Sequence, residues 1–132
     1  MSLDTQLRMA RHFDAQLEGL WAVMDRHWPT ALVGSAGSFD TIARMIAIQR
    51  GTTIAGDACT TTFGTMQFDA LKDTVFRMTR AEREAMPGLP AHRVDTIIPA
   101  LALVERVLLH GIQQLHWSRY SLKEGAAAGM LG

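Results

Sequence analysis

One stretch, Ala31-Leu32-Val33-Gly34-Ser35-Ala36-Gly37-Ser38-Phe39-Asp40-Thr41, constrains the fold more than any other. It reads as a short apolar strand, a tight turn of small residues and the first turn of a helix, the unit from which α/β domains are built. Such a turn also has chemical potential. The first N–H groups of a helix have no intrahelical acceptor, and the helix dipole adds a partial positive field there, so phosphates and nucleotides are commonly held at such a place. A second reading stands beside this one: the small residues satisfy sterics only, with Ser38 or Asp40 capping the helix.

The 132-residue sequence supports a single domain over residues 1–132 with a real core. Thirteen basic residues balance thirteen acidic ones, which argues against a nucleic-acid-binding surface. Cys59 is the only cysteine, so no intrachain disulfide forms, and the five histidines are scattered rather than set at zinc-ligand spacing. No apolar run approaches the roughly 18 residues of a membrane span. The opening Met1-Ser2-Leu3-Asp4 lacks the basic-then-apolar order of a signal peptide, and a reducing, cytoplasmic setting is the expectation.

Periodicity predicts a helix-rich α/β domain with about five helices and two or three short strands. A helix is expected from Asp4, its N-cap, to about residue 27, with Phe13, Leu17, Leu20, Trp21 and Met24 on one side and Pro29 as the stop. After the strand Ala31–Gly34, a helix from about Phe39 to Gln49 ends at Gly51. The Thr- and Gly-rich residues 51–68 suit an extended connector with a strand at 60–68. Another helix is expected from Asp69 to Met78. Thr79-Arg80-Ala81-Glu82 has capping-box spacing and opens a helix to Met86, before Pro87-Gly88. Residues 91–97 form a turn or short helix, and the apolar helix that follows starts near Pro99, a kinked continuous helix being the alternative. Gly111 ends it. Residues 113–118 alternate as a strand, and Ser121 caps a last helix with Glu124 at its third position.

Four segments, in order, resemble the C-terminal half of the exopolyphosphatase / guanosine pentaphosphate phosphohydrolase (Ppx/GppA) family. They are the turn Gly34-Ser35-Ala36-Gly37-Ser38, the helix Met78-Thr79-Arg80-Ala81-Glu82-Arg83-Glu84-Ala85-Met86-Pro87-Gly88-Leu89, the segment Arg93-Val94-Asp95-Thr96-Ile97-Ile98-Pro99-Ala100, and the close Ser118-Arg119-Tyr120-Ser121-Leu122-Lys123-Glu124-Gly125. The resemblance spans roughly residues 30–125. It implies part of a ribonuclease-H-like domain of the actin-like ATPase superfamily. It also implies an enzyme that removes terminal phosphate from polyphosphate or pppGpp, usually with Mg²⁺. The family's acidic Gly-rich phosphate loops and its catalytic Glu have no counterpart in this sequence, so no catalytic residue and no Mg²⁺ ligand is assigned. The turn at Gly34, Ser35, Gly37 and Ser38 is the expected phosphate-facing element.

Arg93, Arg119 and Lys123 are polyanion candidates, since Arg forks and Lys point charges are the usual phosphate partners. The alternatives are an ion pair of Arg93 with Asp95 or a helix C-terminus, and helix capping with a salt bridge for Lys123-Glu124. His92, His110 and His116 read as structural, Cys59 is not expected to be a nucleophile, and Met66, Met78, Met86 and Met130 read as core or interface fillers. The missing part of the domain would leave strands 31–34 and 114–118 with open edges, which predicts a homo-oligomer or an upstream domain as partner. The alternative to an enzyme part is a non-catalytic polyphosphate- or nucleotide-binding module, or an oligomerising scaffold.

Overall fold

The computed structural model describes residues 1–132. Seven helices surround a three-stranded mixed sheet. In chain order they are α1 (Leu3–Gln16), α2 (Glu18–His27), β1 (Ala31–Ser35), α3 (Gly37–Gln49), β2 (Thr60–Gly64), α4 (Thr65–Arg77), α5 (Arg80–Glu84), a 3₁₀ turn (Ala91–Arg93), α6 (Ile97–Leu108), β3 (Gln114–Ser118) and α7 (Leu122–Leu131). The helix-rich α/β class read from the sequence is therefore present.

The strand order is β1-β3-β2, with β1 parallel and β2 antiparallel to β3. This corrects the expectation for residues 114–118: β3 is the central strand, paired on both sides, and the open edges belong to β1 and β2. Three residues far apart in sequence are completely buried beside the sheet: Ile42 of α3, Phe68 of α4 and Leu101 of α6. α3 packs on α4, α4 on α6, and α6 on α1. Two ion pairs tie these layers. Arg106 of α6 grips Asp14 of α1 with two bonds of 2.9 and 2.8 Å, and Lys72 of α4 pairs with Glu105 of α6.

Several element boundaries differ from the sequence expectation. The helix expected over 4–27 is interrupted at Leu17, which leaves helical geometry (φ −110°, ψ 17°). Gly19, a weak helix former, follows at once. Ser2, not Asp4, is the N-cap of α1; its hydroxyl accepts from the Thr5 N–H. α4 starts at Thr65 rather than Asp69, because the Gln67 carboxamide oxygen accepts the Gly64 N–H at 2.9 Å and closes the turn straight off β2. α6 starts at Ile97, so Pro99 is its third residue. There its missing N–H is no loss, and the helix continues unbroken to Leu108. Met66 and Met130 are exposed, not core, whereas Met86 packs against the core.

Candidate functional site

Because β1 and β3 are parallel and in register from Ala31↔Gln114 to Ser35↔Ser118, their C-terminal ends lie side by side. The turn after β1 and the segment after β3 therefore open on the same edge of the sheet, where α/β domains usually place ligands. All the sequence-derived candidates lie on these two segments except Arg93.

The turn itself is strained. Ala36 caps α3 with φ 59° and ψ 178°, a region that L side chains rarely adopt, and it is one of only two non-glycine residues with positive φ. Such a conformation costs roughly 1–3 kcal/mol and persists only where the surroundings impose it. A Cβ on Gly34 would lie 2.1 Å from the Phe39 ring, which folds back over the strand end. Gly34 thus has a steric role. Ala36 has no capping side chain, and neither Ser38 nor Asp40 caps the helix, which overturns that part of the steric reading. The Ala36 carbonyl accepts the N–H groups of Phe39 and Asp40, at 3.0 and 3.3 Å. The N–H groups of Gly37 and Ser38, the first two of α3, have no intrahelical acceptor.

Arg93, at the end of the 3₁₀ turn, reaches this spot. Its Nη1 donates to the Ser38 hydroxyl at 3.4 Å, and a Cβ on Gly37 would meet its Nη2 at 3.9 Å. The expected alternative, a pair with Asp95, does not form, because Asp95 is held by Arg80 at 3.0 Å. The neighbouring Arg83 is spent on carbonyls, those of Val94 and Met78. The structure thus brings Gly37, Ser38 and Arg93 together, with Ser35 at the strand end beside them.

Arg119 and Lys123 lie on the other flank, along a cavity of about 680 Å³ whose walls do not include Arg93. Arg119 donates to the carbonyls of Ala58 and Ala55, at 2.6 and 3.2 Å, and lies over the Trp117 ring at 5.6 Å. It straps the 55–58 connector to β3. The Trp117 indole N–H donates to Asp40 at 2.7 Å, which locks the start of α3 to β3. Lys123 is exposed and stands 3.7 Å from Glu124. Glu124 performs the expected cap, accepting the Ser121 N–H and hydroxyl, at 2.9 and 2.8 Å. The Ser121 hydroxyl, then the Ser121 N–H, holds its carboxyl below the ordinary glutamate value.

Sequence reasoning missed the strain at Ala36, since no pattern of residue types marks a positive φ at alanine. It also missed Arg44, one helical turn after Asp40 on the same cavity wall. Two of the three histidines read as structural have such contacts: His116 Nδ1 shares a 2.7 Å hydrogen bond with Thr62 across the sheet, and His110 stacks on Trp21; His92 is exposed. Cys59 is exposed and lies 3.4 Å from the Tyr120 hydroxyl. No three His, Cys, Asp or Glu side chains converge where they would hold a metal ion. No helix is long and apolar enough to cross a membrane.

No protein-family model matches the sequence, and no curated protein does. Solved structures do match. An exopolyphosphatase from Cytophaga hutchinsonii superposes with a TM-score of 0.92 and is 32% identical over 99% of this chain, which covers 43% of that protein. An exopolyphosphatase-like protein matches with a TM-score of 0.80 at 20% identity, 98% of this chain on 43% of that one. A Ppx/GppA family member from Aquifex aeolicus shares the fold, with a TM-score of 0.76 at 15% identity, 98% of this chain on 41% of that one. The chain therefore spans less than half the length of each structure it matches. In fold, and in sequence at the level of the Cytophaga protein, the chain is similar to one part of a Ppx/GppA exopolyphosphatase, the C-terminal half that its motifs resemble.

Proposed function

We propose that this chain is the substrate-holding part of a phosphoric-anhydride hydrolase that releases terminal phosphate from polyphosphate or pppGpp. The observation that carries the reading is the strained turn at Ala36 with the Arg93 guanidinium beside Gly37 and Ser38. Two N–H groups at a helix start, a hydroxyl and a forked cation converge there, which is the donor set a phosphate oxygen needs. Phosphoryl transfer relies mostly on positioning and on charge stabilisation in the transition state. Arg93 and the turn contribute the positioning. Asp40, the carboxylate in the first turn of α3, is held by the Trp117 indole, and we assign the base for the attacking water, with the ligands of any Mg²⁺, to a partner segment. The lone, exposed Cys59 supports a reducing, cytoplasmic setting. The even charge supports neither a nucleic-acid partner nor a membrane surface.

A second reading, a phosphate-binding or oligomerising module without catalysis, is favoured by α7, none of whose residues is buried. One pair of measurements separates the two. Phosphate release from polyphosphate and pppGpp with Mg²⁺ is expected to be at the blank for this chain alone, and to appear when an upstream half of a Ppx/GppA enzyme is supplied. Thermal melting with polyphosphate is expected to show stabilisation by mass action, and Arg93→Ala is expected to weaken the binding by about tenfold. Release by the isolated chain would place the base within it. No stabilisation by polyphosphate, and no activity on adding the upstream half, would leave the scaffold reading.

A further inference from the structure

The cavity on the far flank of the sheet edge has a composition of its own. It is about 680 Å³ in volume, within the range that holds a small ligand. Its charged walls are Arg44, Arg119 and Lys123 against Asp40 and Glu124. The two carboxylates are already engaged, Asp40 by the Trp117 indole and Glu124 by Ser121. Arg119 is spent on the carbonyls of Ala55 and Ala58. Arg44 takes part in none of these bonds, and Lys123 has only the 3.7 Å approach to Glu124. The charged groups left without a hydrogen-bond partner in this cavity are therefore both cations, Arg44 and Lys123. Ala47, Ile48 and Ile54 add an apolar wall beside them.

We propose that this cavity is a second anion site, in which Arg44 and Lys123 hold the phosphates of a diphosphate or longer phosphoanhydride ligand. Gly37, Ser38 and Arg93 contribute nothing to its walls. Arg44 on α3 and Lys123 on α7 offer a guanidinium fork and an ammonium from two different elements, donors suited to successive phosphates of one chain. The apolar wall allows the phosphates to come from a nucleotide as well as from an inorganic chain, the base lying against Ile48 and Ile54.

The test uses the three tryptophan indole signals in a ¹⁵N–¹H spectrum of the whole chain. Trp117 lines the cavity, while Trp21 and Trp28 belong to α2 and its cap and serve as internal references. Titration with inorganic pyrophosphate is expected to shift the Trp117 signal and leave the other two in place. Arg44→Ala and Lys123→Ala are each expected to weaken that binding about fivefold to tenfold, and the double variant more than either. Arg93→Ala is expected to leave the Trp117 titration unchanged, whatever it does to binding at the turn. Both cationic side chains are exposed, and the rest of the spectrum reports whether each variant is folded. GDP separates the sources: tighter binding than pyrophosphate, lost in Ile48→Ser, identifies a nucleotide, and equal binding identifies an inorganic chain. A Trp117 signal that does not move, or one that moves equally in the double variant, overturns the proposal.

Discussion

Ala36 and Gly34 show how a turn of small residues becomes a shaped site. At Gly34 the absent side chain makes room for the Phe39 ring, which a Cβ would approach to 2.1 Å. Gly34→Ala is expected to destabilise the protein by about 1–3 kcal/mol, the usual cost of overpacking, as read by urea unfolding. Ala36 works the other way. Its φ of 59° is a strain that glycine would not feel, so Ala36→Gly is expected to raise stability by about 1 kcal/mol. The same change frees the turn and is expected to weaken polyphosphate binding, measured by calorimetry. A stabilised variant with undiminished binding would remove the link between strain and site. The glycines and serines were legible in the sequence because their residue types advertise a turn. The alanine was not, because no residue type there marks a positive φ.

At the scale of elements, capping decided which sequence expectations survived. Thr79 and Glu82 form the predicted reciprocal cap of α5, with the Thr79 N–H donating to Glu82 at 2.7 Å and the Glu82 N–H to the Thr79 hydroxyl at 3.3 Å. The Thr79 N–H, then its hydroxyl, depresses the Glu82 carboxyl below its ordinary value, and Ser121 does the same to Glu124. A carboxylate whose folded pKa is lowered contributes stability above its unfolded pKa and loses that contribution as pH falls through the folded one. Acidification below the ordinary glutamate range is therefore expected to fray the starts of α5 and α7 while α4 and α6 hold. The readout is hydrogen-exchange protection at the Thr79 and Ser121 amides, relative to intrinsic rates. Protection that stays constant to low pH would show that the caps do not depend on the carboxylate charge. These caps were readable because both partners lie three residues apart. The break at Leu17 and the start of α4 at Thr65 were not, because apolar spacing continues through Leu17 and the Gln67 cap reaches back to a glycine.

The molecule as a whole exposes 8145 Å², whereas a compact monomer of its mass exposes about 6,900 Å². The surplus of about 1,200 Å² is of the size that one side of a stable interface covers. It includes α7, where Leu122, Met130 and Leu131 are all nearly fully exposed, and the outer edge of β1, where Val33 is 63% exposed. β1 has no charge, proline or bulge to protect that edge. Self-association of the isolated chain is therefore expected, with a scattering mass above 14.5 kDa that rises with concentration. Val33→Lys is expected to restore the monomer mass. A monomer at all concentrations would show that the open edge is tolerated as it stands.

The residue order by itself determined the local units: strand, turn and helix at 31–41, and the caps at Thr79 and Ser121. These depend on backbone groups within a few positions of one another, which residue type and spacing control directly. The set of motifs also carried the likeness to Ppx/GppA proteins before any coordinates. Tertiary structure alone decided that β3 is central, that Arg93 turns to Ser38 while Asp95 goes to Arg80, and that Arg44 shares a cavity with Lys123. Those outcomes depend on which elements pack side by side, a choice made by burial of the shared core rather than by any local pattern.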